Sequence, residues 1–202
     1  TGVAGMGWSI SGLSMISRVG QTIYHNNTLR PVELSSNDRF ALDGMRIMSK
    51  SGTYGASGAT YGTEAENFAT LTSNGSMGGG PQWFSLVTKE GVTMEYGNTV
   101  DSRFLNQNNT IVLYWRLNKI LYTDGNYIEF KYTNVDRDSR IDEINYTGNV
   151  AAGLLPYNKL KFSYTVRSDV KTSYEANASI VSKYLLDKIT VTAESSAAFK
   201  IY

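Results

Sequence analysis

The residues best equipped for chemistry are few and scattered. His25 is the only histidine, so a Ser-His-Asp relay would have to run through it. It stands in Tyr24-His25-Asn26-Asn27, a loop or strand end, and no G-x-S-x-G elbow presents a nucleophile. His25 therefore reads as a surface histidine. Asp136, Asp138 and Asp142 form the densest acidic group. A calcium loop of the D-x-D-x-D-G type needs an oxygen ligand and then glycine where Arg140 and Ile141 stand. The three aspartates are weak calcium candidates, and the nearby arginines are expected to pair with them. Glu64, Glu66, Asp101, Glu129 and Glu143 could supply the paired carboxylates of a glycosidase. Spacing alone brings no two of them to one cleft, and strand alternation turns Glu129 and Glu143 to solvent. The run Met77-Gly78-Gly79-Gly80-Pro81 lacks the Lys-Ser/Thr pair and following helix of a phosphate loop, and reads as a flexible loop. Trp8, Trp83 and Trp115, with 14 tyrosines, could stack sugar rings or fill a sheet core. Trp8 is expected in the core. The chain has no cysteine, which removes thiolate catalysis, disulfides and Cys-based metal sites. The expectation is a non-catalytic chain without a cofactor.

The elements that must position these residues are strands. Tyr, Thr, Ser, Asn and Gly are plentiful while proline numbers 3, a composition that favours pleated surfaces joined by turns. Lys and Arg (19) nearly balance Asp and Glu (18), so no concentrated basic surface for nucleic acid is expected. No stretch is long and apolar enough to span a bilayer, and no signal peptide is visible. At 202 residues the chain reads as one β-rich fragment of a larger protein, opening in mid-motif and stopping in mid-strand.

Three stretches are expected. Residues 1–48 hold a Gly/Trp lead-in, a strand over Ser11 to Val19, a pairing segment Gln21 to Tyr24, and a first hairpin over Arg39 to Met48. The lead-in glycines Gly5, Gly7 and Gly12 are expected to permit close strand crossing near Trp8. Asp43-Gly44 is the hairpin turn, because a type I′ turn needs positive φ at both central residues. Residues 49–82 are Gly/Ser-rich and predicted irregular, with Glu64, Phe68 and Leu71 on one helical turn or an irregular strand. Residues 83–202 carry four degenerate hairpin units. They are Phe84 to Tyr96; Leu117 to Tyr132 around Asp124-Gly125; Ile141 to Tyr164; and Leu185 to Tyr202, returning through Phe199. Alternation puts Ile120, Tyr122, Phe130 and Tyr132 on one face. Residues 148–158 read as an insertion. Residues 167–182 read as a long connection, with Tyr174-Glu175-Ala176 a short helix or surface loop. The fold class is all-β, with irregular tandem hairpins forming a curved, twisted sheet or partial shell and little helix.

Two blocks carry a family resemblance. Gly5, Gly7, Trp8, Ser9, Ser11, Gly12, Leu13, Ser14, Ile16 and Arg18 form the first. Asp38, Arg39, Phe40, Leu42, Asp43, Gly44 and Arg46 form the second. Both are similar to the SpvB-like and insecticidal toxin-complex B proteins, relatives of the Rhs/YD-repeat shells. Tyr61-Gly62-Thr63-Glu64, Gly80-Pro81-Gln82-Trp83-Phe84 and Glu95-Tyr96-Gly97 fit the same pattern. The resemblance implies a bacterial secreted or cell-surface protein whose β-shell encloses or carries a C-terminal effector. It implies partners in other segments of the parent chain and in toxin-complex subunits. Unpaired strand edges add self-association. A carbohydrate- or cell-wall-binding module and a glycoside hydrolase are the alternatives.

Overall fold

The structure, a computed structural model, describes residues 2–5, 7–64, 69–193 and 198–202. Glu66 and Phe68 lie outside the described residues, as does the side chain of Phe199. The chain divides into two compact units, with the boundary inside one strand. The first holds Ser14–Asn118 with Tyr174–Ala178. The second holds Thr1–Leu13, Lys119–Ser173 and Ser179–Tyr202.

In the first unit the strands are β1 (Met15–Val19), β2 (Arg39–Leu42), β3 (Met45–Ser51), β4 (Thr60–Thr63), β5 (Thr70–Asn74), β6 (Trp83–Val87), β7 (Thr93–Tyr96), β8 (Arg103–Leu105) and most of β9 (Val112–Leu121). Strands β1 to β7 pair in sequence, β7 pairs with β9, and β9 returns to β1 through Ile16 opposite Trp115. The sheet therefore closes into a barrel, and closure removes its edges. This goes beyond the curved sheet expected from sequence. Closure needs a contact between residues about a hundred positions apart, which no local pattern announces.

Alternation carries the core around the ring. Opposite partners Arg18 and Phe40, Tyr61 and Leu71, Ser73 and Phe84, and Leu71 and Leu86 are all buried on the same side. Phe40, Phe84 and Trp115 meet edge to face with ring centroids 5.2–5.4 Å apart. Tyr61 joins through Phe84, and Tyr54 stacks on Phe40. Each such ring contributes roughly 1.5–3 kcal/mol by burial. Trp115 is fully buried and its Nε1 donates to the carbonyls of Pro81 and Gln82.

Several expectations for this region change. Trp8 is 76% exposed rather than a core anchor; the barrel's core tryptophan is Trp115. Gly5, Gly7 and Gly12 all have positive φ, but a Cβ on any of them would meet nothing within 4 Å. They set backbone direction and mark no strand crossing. Residues 49–82 hold the end of β3, β4 and β5 between turns and bends, and Leu71 takes the strand alternative, on β5, and not the helical turn. Small polar residues alternate there with Tyr61, Leu71 and the buried Ser73, too sparsely to show a strand period. The Gly78-Gly79-Gly80 run is packed rather than loose. A Cβ on Gly79 would lie 2.9 Å from Ser35 Cα, and one on Gly80 would lie 2.7 Å from Arg18 Nη2. Ile23–Asn26 forms a single helical turn, α1, capped by Thr22, instead of a strand; only Gln21 pairs, with Arg30. The Asp43-Gly44 hairpin appears as expected, with φ 49° and 82° at the turn.

The second unit is built from long hairpins: the end of β9 with β10 (Asn126–Val135), then β11 (Asp138–Asn149), β12 (Asn158–Glu175), β13 (Ala178–Thr192) and β14 (Ala198–Ile201), in that order. Three of the four hairpin units read from sequence end here, around Gly125 (φ 85°), through Glu143 opposite Lys161 and through Thr190 opposite Ile201, while the first, Phe84 to Tyr96, is β6 with β7 in the first unit. Phe130 and Tyr132 are buried as the shared face requires, but Ile120 is only half-buried and Tyr122 lies past the end of β9, 40% exposed. Residues 167–182 are not a connection: β12 and β13 run through them and turn at Ala176-Asn177, both with positive φ. A type I′ turn without glycine left no mark in the sequence.

Candidate functional site

The end of the first motif block, from Ser14 to Arg18, and the second block meet in the barrel. Arg18, on β1, and Asp38, just before β2, form an ion pair of 2.9 Å whose side chains are 0% and 1% exposed. Arg18 Nε also donates to Val112 O, and the guanidinium lies 5.5–5.6 Å from the ring centroids of Phe40 and Trp115. Arg18 Nη2 has no hydrogen-bond partner. Burial lowers the Arg18 pKa while Asp38 works against that fall. The other carboxylate oxygen of Asp38 accepts from the Glu33 N–H. Asp43 accepts from the Ser14 hydroxyl and the Met15 N–H, tying the first hairpin to the start of β1. Ser14 in turn reaches the Tyr96 hydroxyl at 3.0 Å. Burial pushes Tyr96 up to about 12. Gly97, after β7, has φ 73°, and a Cβ there would sit 2.5 Å from Trp115 Cδ1. The Glu95-Tyr96-Gly97 signature is thus a place where the backbone must pass the core indole.

The candidate catalytic groups do not assemble. His25 lies on α1, its Nδ1 against the Thr22 hydroxyl and its Nε2 3.1 Å from Glu64. Asp101 lies in the turn between β7 and β8. In the second unit, Glu143 on β11 is flanked by Lys131 on β10 and Lys161 on β12, directly opposite on either side, with Lys159 3.4 Å away. Burial acts to raise the Glu143 pKa, but the three lysines outweigh it and hold the group below the ordinary carboxylate range. A general acid needs the opposite shift. Glu129 faces Asn145.

The calcium candidates separate as well. Asp136 pairs with Lys183 at 2.7 Å, Asp142 with Lys161 at 2.8 Å, and Asp138 with Arg140 at 2.8 Å. Asp138 also accepts the Lys183 N–H. Each aspartate has its own cation, and no group of three metal-ligating side chains occurs among the described residues. The pairing of Arg140 with Asp138 is the one expected from sequence; Arg137 instead donates to Ser179 O. Asp124 caps its own turn by accepting from Asn126 N–H, next to Gly125.

Sequence reasoning missed Tyr54. It closes over the cluster by donating to Ile47 O, while its oxygen accepts the Phe40 N–H. Its setting, Thr53-Tyr54-Gly55, carries no alternation to flag it. No helix among the described residues is long and apolar enough to cross a membrane.

A barrel filled with aromatic rings and a neutralised ion pair, and a hairpin sheet braced by lysine-carboxylate pairs, define an all-β class of protein. Family comparison gives the lineage. The chain belongs to the SpvB family, described as Salmonella virulence plasmid 65kDa B protein, whose model matches residues 1–151. Among solved structures the fold is similar to the N-terminal domain of effector protein SpvB from Salmonella typhimurium strain LT2, at 15% identity and TM-score 0.74, over 94% of this chain and 78% of that one. It is also similar to TcdB2-TccC3-TEV, at 15% identity and TM-score 0.71, over 95% of this chain and 12% of that one. The Photorhabdus luminescens Tc holotoxin pore matches at 14% identity and TM-score 0.64, over 89% of this chain and 11% of that one. Compared with curated proteins by sequence, the chain matches none.

Proposed function

We propose that this chain is a non-catalytic structural segment of a bacterial secreted or cell-surface protein of the toxin-complex type, part of a β-wall that encloses or carries a C-terminal effector. One observation carries the reading. The barrel interior is occupied by Phe40, Tyr61, Phe84 and Trp115 around the Arg18–Asp38 pair, so it is packed core and not a substrate chamber. The family and the fold of SpvB and toxin-complex proteins agree with it. Partners are then the adjoining segments of the parent chain and toxin-complex subunits. Among the described residues β14 pairs only with β13, which offers an edge for strand addition or self-association.

The test is limited proteolysis of the parent protein. The C-terminal region should resist protease in the wild type and become susceptible in a Trp115→Ala variant, which opens the barrel core. Equal susceptibility in both would count against an enclosing wall. The exposure of Tyr24 and Tyr174 favours a second reading, a carbohydrate-binding module. Glycan or cell-wall binding lost on replacing these exposed tyrosines with serine, but kept on replacing Trp8, would favour it over the wall.

A further inference from the structure

The second motif block has four charged residues, and two of them are spent. Asp38 is neutralised by Arg18, and Asp43 is tied to Ser14 and Met15. Arg39 and Arg46 remain. They lie on the adjacent strands β2 and β3, and both line a hollow of about 230 Å³ with His25, Ile47, Met48 and Tyr54. Arg39 Nη1 donates to the carbonyls of Asn37 and Asp38, and its guanidinium lies 4.6 Å from the Tyr54 ring centroid. Arg46 donates through Nη1 and Nη2 to one acceptor, Gly20 O. A guanidinium carries five N–H donors, so each keeps donors beyond these carbonyl contacts. Neither pairs with a carboxylate among the described residues. Both also act on Tyr54, where burial pushes the hydroxyl pKa up and the two cations pull against it.

We propose that this hollow binds the carboxylate of an acidic side chain presented by another polypeptide segment. Two guanidinium forks match a carboxylate's two oxygens, and the part-exposed Met48, two residues from Arg46 on the same face of β3, gives its aliphatic stem an apolar wall. Phosphate fits less well. The Glu64 carboxylate already stands 3.1 Å from His25 Nε2 at this site, and it opposes a dianion more than a monoanion. The inference concerns this chain's own residues and stands whether or not the wall encloses an effector.

The test is an NMR titration of the 202-residue chain, following arginine Nε–H signals at low salt. The probe is a capped tetrapeptide Gly-Glu-Glu-Gly. The Arg39 and Arg46 signals should shift together and saturably, and the matching Gly-Gln-Gln-Gly peptide should shift neither. An Arg39→Lys/Arg46→Lys chain keeps the charge but loses the forks, and its affinity, read in this variant and in the wild type from the backbone amide signals of β2 and β3, should fall about tenfold or more. Its signal dispersion checks that it is folded. An absence of saturable shifts, equal affinity in the folded lysine variant, or binding of inorganic phosphate in place of the peptide would each overturn the site.

Discussion

At the residue scale, the Arg18–Asp38 pair shows how a charged motif can be wholly structural. Two opposite charges inside an aromatic core attract strongly because water is excluded, but each has lost its hydration. Asp38→Asn alone strands the guanidinium, and we expect it to destabilise the chain by about 3–5 kcal/mol in chemical denaturation. Replacing both groups with apolar residues, Arg18→Met with Asp38→Leu, should cost markedly less than the single change. A double variant no more stable than Asp38→Asn would mean that the backbone carbonyl contacts, not the paired charges, hold this corner. Gly97 is the same lesson in backbone form: the motif glycine is there because the core indole leaves no room for a Cβ.

At the scale of the element, β10, β11 and β12 are laced by the lysines around Glu143. The folded Glu143 pKa lies below its ordinary value despite partial burial. Its contribution to stability is therefore present above the ordinary carboxylate pKa and lost as pH falls through the lower folded one. Lys161 is shifted upward: burial opposes the shift, but the hydrogen bond and charge of Asp142 prevail, aided by Glu143. Its contribution holds below the ordinary lysine pKa and fades as pH rises through the folded value. Glu143→Gln should flatten the acid limb of the stability profile, and added salt should narrow the gap between variant and wild type. Thermal melts from neutral to acidic pH would show this; parallel curves for the two proteins would refute it.

For the whole molecule, the tyrosines give a common readout. Burial raises the pKa of Tyr54, Tyr96 and Tyr114 in the first unit and of Tyr164 in the second. For Tyr114 the hydrogen bond to Glu175 adds to that rise. A phenol whose folded pKa lies above the unfolded value of about 10 favours the native state fully below that pH. Its contribution is lost as pH climbs toward the folded value, which for Tyr96 is about 12. Ultraviolet titration should therefore show a late-ionising class in the native chain that is missing in denaturant, with stability falling steadily above pH ~10. Ionisation of all tyrosines together near that pH in the native chain would contradict the buried ring cluster.

Much of this protein was legible in its residues, and the division follows the range of the forces. The all-β class, the hairpins at Asp43-Gly44 and Asp124-Gly125, and the family motifs all rest on local rules: alternation, turn conformation and short spacing. Spacing did not show what the motifs are for. Arg18 and Asp38 meet across 20 positions, and Gly97 serves an indole 18 residues away. Trp8 was misjudged because a tryptophan's size announces burial, while only the assembled sheet decides which tryptophan the core encloses. The choice of strand over helical turn at Leu71, the hidden turn at Ala176-Asn177 and the closing of β9 onto β1 fell to the tertiary structure for one reason. Each depends on which distant strand lies alongside, and pairing partners are selected by the packing of the whole ring rather than by the residues that do the pairing.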